Sequence, residues 1–413
     1  MTQSKRFTTS WSEADFDFGL GCWREGEQIR NPKHEILNKF KMQMFECSKR
    51  YRRCCVVARV ASLFTLVACA SASGGELEWV EVSQDRKGFV CEESGERFVP
   101  LGFNYDHDDE GRLLEDYWNL QWSTVEEDFL EMKRLGANVV RIHLQVGRFM
   151  RGPNEPNEAS LEQLGRMVEL AERVGLYLDV TGLGCYHKKD VPQWYDGLTE
   201  QQRWDVQGRF WEAVAKRCAG SPAVFCYDLM NEPVVGGRDK RTDWLGPAFA
   251  GKHFVQFIAL EQGERERWAV AAQWIAKLSA AIRKCDKRHL ITAGLVPWSL
   301  PGKGLTSGFE PQRIAGELDF VSVHIYPEQD KAAEAIETLR GFCVGKPVVI
   351  EEIFPLKCSI GELERFFAES REYACGWIGF YWGKTPEEYR QRSRIGDMLI
   401  LGSLEFFQRQ ANR

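Results

Sequence analysis

Excess positive charge, long apolar runs and phosphate-binding glycines are all missing from this chain of 413 residues. Its formal net charge is -6, with a pI near 5.8, so it carries no basic footprint for nucleic acid. A neutral or weakly polar partner fits better. Apolar runs fall short of the roughly 20 residues that a helix needs to cross a bilayer. No glycine-rich turn follows the first predicted strand, which removes the dinucleotide and phosphate-loop readings. His and Cys show no diagnostic metal-ligand spacing, and neither a metal nor a cofactor is expected. No low-complexity linker or repeat interrupts residues 75–413. The chain is rich in rings, with 14 Trp, 25 Phe and 11 Tyr. Rings serve cores as well as ligands, so their number alone decides nothing.

The N-terminus has the layout of an export signal. Lys49, Arg50, Arg52, Arg53 and Arg59 flank a short apolar core, Val60 to Ala68, and small residues follow from Ala70 to Ser73. Two processing routes stay open. Leu66-Val67-Ala68-Cys69 resembles a lipoprotein box, which implies membrane attachment through a lipidated Cys69, while cleavage after Ala70-Ser71-Ala72 gives a free secreted or periplasmic form. Residues 1–41 then read as an extension, with Met42 or Met44 as the start, residues 42–74 as the signal, and residues 75–413 as the folded domain, expected to be a monomer. A cytoplasmic protein with an unstructured arm is the alternative. Eight cysteines fall within 75–413, an even number that permits disulfides in an exported chain. A Cys185–Cys358 bridge across two rim loops is one pairing, whereas Cys226 and Cys375 sit on buried strands and read as small core residues.

Leu77 to Val82 and Gly88 to Cys91 alternate around Asp85-Arg86-Lys87-Gly88 and predict a hairpin plugging the bottom of the domain. Short apolar strands then alternate with helical patterns. The strands are Phe98 to Tyr105, Ala137 to Leu144, Leu176 to Gly182, Ala223 to Met230, His289 to Leu295, Asp319 to Tyr326, Pro347 to Glu352 and Gly376 to Trp382. The helical patterns are Thr124 to Leu135, Leu161 to Val174, Gln201 to Cys218, Glu264 to Lys284, Ala332 to Phe342 and Ile360 to Ala374. Eight such units predict an α/β fold, a single (β/α)8 TIM barrel, with a doubly wound open sheet as runner-up. The longest insertions, Leu183 to Glu200 and Val234 to Gln262, follow strands three and four, on the face where barrel enzymes build their sites.

Two carboxylates stand at strand ends on that face. Glu232, in Asn231-Glu232-Pro233, ends strand four, and Glu351-Glu352 ends strand seven. Paired carboxyls about 5–5.5 Å apart cleave glycosidic bonds with retention, one protonating the leaving oxygen and one attacking the anomeric carbon. Asn231 offers an amide for the sugar 2-hydroxyl, and Pro233 fixes the chain as it leaves the strand. Consecutive strand residues face opposite sides, so only one of Glu351 and Glu352 is expected in the mouth, and parity alone leaves both open.

Asn231-Glu232-Pro233, His324-Ile325-Tyr326, Ile350-Glu351-Glu352 and Tyr381-Trp382-Gly383, in this order over residues 98–383, resemble glycoside hydrolase family five and its wider clan of barrel glycosidases. The resemblance implies Glu352 as nucleophile, Glu232 as acid/base, and Arg141 as the arginine that hydrogen-bonds the nucleophile and keeps it ionised. It further implies that Tyr326 orients the nucleophile, that His324 lies near the acid/base, and that Trp382 forms the floor under the sugar. One departure from the family is Thr181, where a histidine is usual at the end of strand three; His143 or His187 is expected to fill that space. Trp194, Trp244 and Trp298, with Tyr195, are rim rings that stack on sugar or anchor loops. The acidic run Asp106-His107-Asp108-Asp109-Glu110 reads as a solvated rim.

The function implied is hydrolysis of a β-linked glucan- or mannan-type glycan, with an oligo- or polysaccharide as partner. The alternative is a non-catalytic cell-surface carbohydrate-binding barrel. Such a relic tends to lose one of the two acids, and this chain keeps both.

Overall fold

The computed structural model describes residues 77–302 and 306–412. The extension, the signal and Cys69 lie outside the described residues. Described residues 77–246, 253–302 and 306–412 form one compact unit. Its centre is a closed parallel barrel of eight strands: β1 (Leu101–Tyr105), β2 (Val139–Gln145), β3 (Tyr177–Gly184), β4 (Val224–Asn231), β5 (Leu290–Leu295), β6 (Val321–His324), β7 (Val348–Ile353) and β8 (Gly376–Gly379). Each pairs with its sequence neighbours, and β8 closes on β1. The open doubly wound sheet is thereby excluded.

Helices α1 (Trp122–Arg134), α2 (Glu158–Val174), α3 (Glu200–Cys218), α4 (Arg267–Arg283), α5 (Pro311–Ile314), α6 (Ala332–Gly341), α7 (Ile360–Ser370) and α8 (Ile395–Ala411) return the chain from strand to strand. Their patterns show why they form. In α2, Leu161, Leu164, Met167, Val168 and Ala171 recur at three- and four-residue steps and are buried against the barrel, and Gly175 at φ 76° ends the helix in the left-handed conformation. A reciprocal Thr199–Gln202 capping box starts α3. Two connections differ from the sequence expectation. Between β5 and β6 the chain makes the single turn of α5 between two 3-10 turns, Pro297–Ser299 and Ala315–Glu317, and α8 follows β8; no helical pattern had been named for either segment. Among the described residues no helix is long and apolar enough to cross a membrane.

The predicted hairpin pairs Val80–Val82 with Phe89–Cys91, and Arg97–Phe98 adds a third strand. Phe89 is fully buried, its ring edge-on to Phe225 and Phe320 at 5.1 and 5.2 Å. This little sheet caps the N-terminal end of the barrel. Cys185 and Cys358 are both free thiols, so the proposed bridge is not formed, while Cys226 and Cys375 are buried as expected.

Candidate active site

Two bulges decide which side chains enter the barrel. Along β7 the ladder pairs Val323 with Ile350 but His324 with Glu352, which leaves Glu351 as an extra residue. Glu351 and Glu352 consequently both turn inward, contrary to the expectation from strict alternation. Glu351 lies deep and is 0% exposed, and Glu352 stands one level higher at the mouth. In β4, Thr292 pairs with Asp228 and Gly294 with Asn231, so one more residue is inserted and Asp228 and Asn231 both face inside. Directly after, Glu232 adopts φ 47°, a left-handed conformation that is uncommon for a residue with a side chain. That turn carries its carboxyl over the barrel axis.

The two acids meet there. Carboxyl oxygens of Glu232 and Glu352 and a ring nitrogen of His324 all lie within 4.8 Å of one another. Glu352 Oε1 accepts from Arg141 Nη1 at 2.7 Å and Oε2 from the Tyr326 hydroxyl at 2.5 Å. His324 Nδ1 lies 3.1 Å from Glu232 Oε1 and 3.4 Å from Glu352 Oε2. Arg141 is fully buried and its four terminal N–H groups are all engaged, on Asn104 and Glu352 from Nη1 and on Asp228 and Asn231 from Nη2. Asn231 spends its oxygen on Arg141 and one N–H on the Phe254 carbonyl, which leaves its second N–H for a ligand.

Burial pushes the Glu352 carboxyl above its ordinary range, opposed by His324 and Arg141. Burial also works against the His324 imidazolium, but the Glu352 charge and the hydrogen bond to Glu232 outweigh it and raise His324 to about 10. His324 is therefore a cation that donates towards both acids. His143 goes the other way: burial, then the Arg141 charge, hold it well below the imidazole range, and it stays neutral between the Tyr186 hydroxyl at 2.5 Å and Asn104 at 3.2 Å. Gly294 makes this density of groups possible. A Cβ there would sit 2.9 Å from His324 Nε2, 3.1 Å from Arg141 Nη2 and 3.2 Å from Glu351 Oε2.

Several sequence expectations need correction. Trp382 is 0% exposed and packs 6.0 Å from Phe103, whose neighbour Asn104 points into the barrel, so Trp382 lies on the outer, helix-facing side and not under the sugar. The ring that faces the mouth at this level is Phe380, half-buried, with Tyr326 at 6.4 Å and Phe254 at 6.3 Å. The resemblance and a strand drawn from Gly376 to Trp382 put Trp382 at the mouth, but β8 ends at Gly379, before either ring. Phe254, in the long insertion after β4, continues the aromatic wall to Tyr186 at 5.1 Å, and no sequence motif marked it. Trp244 is buried under Arg203 and anchors its loop, while Trp194 is half-buried and packs against the core beside Tyr195. Trp298 is half-buried on the turn Pro297–Ser299 after β5, at the rim. Thr181 does not stand in for a histidine; its hydroxyl donates to Asp228 at 2.7 Å. His143 enters this layer and His187 is half-buried beyond β3. The acids of the Asp106–Glu110 loop are largely neutralised, Asp108 by Arg112 and Asp109 by Arg392.

A mannan endo-1,4-beta-mannosidase A of Podospora anserina is 27% identical over 195 residues, 43% of each chain. The chain thus spans less than half the length of that relative. Among solved structures, an endo-1,4-beta-mannanase from Rhizomucor miehei superposes with a TM-score of 0.57 at 17% identity, covering 81% of this chain and 100% of the other. The exo-beta-1,4-mannosidase Op5Man5 from Opitutaceae bacterium strain TAV5 gives 0.58 at 16% identity, covering 80% and 62%. At such identities the likeness establishes the barrel fold alone. The family model described as cellulase (glycosyl hydrolase family 5) matches residues 92–353, from the capping sheet to the last residue of β7 and over more than half of the chain. The chain belongs to glycosyl hydrolase family 5.

Proposed function

We propose that this chain hydrolyses a β-1,4-linked, mannan-type glycan with retention of anomeric configuration. The observation that carries the reading is the approach of the Glu232 and Glu352 carboxyls to within 4.8 Å, near the separation that retaining chemistry uses and too narrow for an intervening water. Glu352 is the nucleophile. Arg141 and Tyr326 fix its two oxygens, one each, so its free lone pairs face the mouth. Glu351 is excluded from that role by its complete burial. Glu232, with a side chain 17% exposed, protonates the leaving oxygen and then activates water for the second displacement. His324 donates to Glu232 while it is a carboxylate and so stabilises it between the two steps. Asn231 holds the sugar 2-hydroxyl with its free N–H, and Phe380 supplies the apolar face under the ring.

The mannan assignment rests on the activities named for the mannosidases and mannanase to which the chain is similar. Export rests on the basic and apolar segments of residues 42–74. The test is to incubate the purified protein with β-1,4-mannan, β-glucan, xylan and aryl glycosides, following product length and anomeric form by NMR. The β-anomer should appear first from mannan. First appearance of the α-anomer, or undiminished turnover in both Glu352→Gln and Glu232→Gln, would remove the reading.

A further inference from the structure

One level beneath the two proposed catalytic acids lies a second acidic pair that the mechanism above does not use. Asp179 from β3 and Glu351 from β7 are each 0% exposed. Oxygens of both carboxyls and the Cys226 sulfur lie within 4.8 Å of one another. None of the four carboxyl oxygens has a hydrogen-bond partner. Of the two cations equally near, Arg141 cannot supply one: it lies 3.6 Å from Glu351 Oε2, but its terminal N–H groups are spent on Asn104, Glu352, Asp228 and Asn231. His324 Nε2 stands 3.6 Å from the same oxygen. Around the pair, therefore, β2 contributes Arg141 and a neutral His143, β4 Cys226 and Asp228, β6 His324, and β7 Glu352.

We propose that Asp179 and Glu351 share a single proton, donated by Asp179 towards Glu351, and that the one remaining charge positions His324 beneath the catalytic acids. The unspent His324 Nε2–H serves Glu351 alone; a facing Asp179 carboxylate with no donor is not sustained in a buried site, so it takes up a proton and becomes the donor between the two. A small side-chain rotation closes the gap to hydrogen-bonding distance. Asp179 is the partner that keeps the proton. Burial, then the Glu351 charge, push its carboxyl well above the usual range, whereas Arg141 and His324 overcome burial and hold Glu351 at about 2. The same three groups, Asp179, Cys226 and Glu351, would also offer ligands to a metal ion, but the guanidinium already brings positive charge to Glu351 and a second cation would be repelled. The single negative charge attracts the imidazolium of His324 from below, so that its Nδ1–H points up at Glu232 and Glu352. Asp179 and Glu351 are positioning residues that act through His324 and Arg141.

This inference rests on the assignment of Glu352 as nucleophile only for its kinetic consequence, so two readouts are used. Neutron diffraction from the wild-type protein near neutral pH should show one deuteron on the Asp179–Glu351 pair. None, two, or a bound metal ion would overturn the proposal whatever the enzyme hydrolyses. In the pH profile of kcat/KM, Asp179→Asn keeps the charge on Glu351 and still offers a donor, so the acidic limb should stay within about 0.3 pH units of wild type. Glu351→Gln removes the charge, makes Glu352 easier to ionise, and should move that limb down by about one pH unit. Equal displacement by the two variants would mean that Asp179 is ionised in the native protein and would sink the idea.

Discussion

The lower and upper halves of the barrel interior are built by the same strands and one pleat apart, yet their chemistry is opposite. Val139, Tyr177, Cys226 and Val349 line the lower half with Phe89, Phe225 and Phe320. Two residues further along the same strands stand Arg141, Asp179, Asp228 and Glu351. A two-residue step keeps the side chain on the same face and moves it about 6.6 Å up the axis. Below, a sealed apolar plug needs no partner atoms and contributes stability. Above, every charge needs a counter-charge or a proton, and a single guanidinium serves Asp228, Glu351 and Glu352. Damage below should therefore appear in folding, and damage above in chemistry.

The sharpest test of that division is Glu352→Gln. It keeps the shape and removes the nucleophile, so kcat should fall by about 10⁴-fold or more with melting little changed. Glu232→Gln should lose less on aryl glycosides, whose leaving groups need no proton, than on mannan. A wild-type profile belongs with this measurement. Because burial raises the Glu352 carboxyl, its ionised form is lost sooner as pH falls, and the acidic limb should lie above that of an ordinary glutamate. A limb at or below the ordinary value would contradict the arrangement.

Phe89→Ala probes the other half. A fully buried ring on two others leaves a cavity, and the expected loss is about 3–5 kcal/mol of folding stability, read from denaturant unfolding. The surviving folded fraction should keep wild-type kcat and pH profile. A changed profile would mean that the two halves are coupled.

How far the sequence reveals this molecule follows the same division. All eight strands and the capping hairpin are legible, because apolar runs between helical patterns are dictated by burial. The glutamates, His324 and Tyr326 are legible as motifs at strand ends, and Arg141, inside β2, only through the family resemblance. What alternation cannot foretell are the bulges at Glu351 and after Asp228, which depend on pairing with a neighbouring strand distant in sequence. They send two successive acids inward and create the buried pair with Asp179. Trp382 was misplaced for a different reason: the resemblance was applied at the end of a strand drawn to Trp382, whereas the strand stops at Gly379. Phe254 lies in a loop, where nothing periodic announces an orientation. The one-turn α5 and the C-terminal α8 show how weakly short or terminal segments signal their place.

Gly294→Ala should have a smaller effect, confined to the upper half. The added methyl meets His324 Nε2 and Arg141 Nη2 at distances that force one of them aside, with a cost of about 1–3 kcal/mol. Because the displaced groups are those that set the catalytic charges, kcat should fall and the acidic limb should move. Stability loss with an unmoved limb would mean that the methyl is absorbed by backbone shift instead.

The mildest change expected is at the aromatic wall. Replacing Phe380 by Ala removes a half-buried ring that faces Tyr326 and Phe254 but holds no charged group. Stacking of this kind contributes about 0.5–1.5 kcal/mol, so kcat/KM on mannan should drop roughly 2- to 13-fold, mainly through KM. Trp382→Phe serves as the contrast. Its ring is buried beside Phe103 outside the barrel, so it should lower melting and leave KM alone. If Trp382→Phe raised KM and Phe380→Ala did not, the face of the barrel on which each ring stands would have to be exchanged, and the sugar floor would return to Trp382.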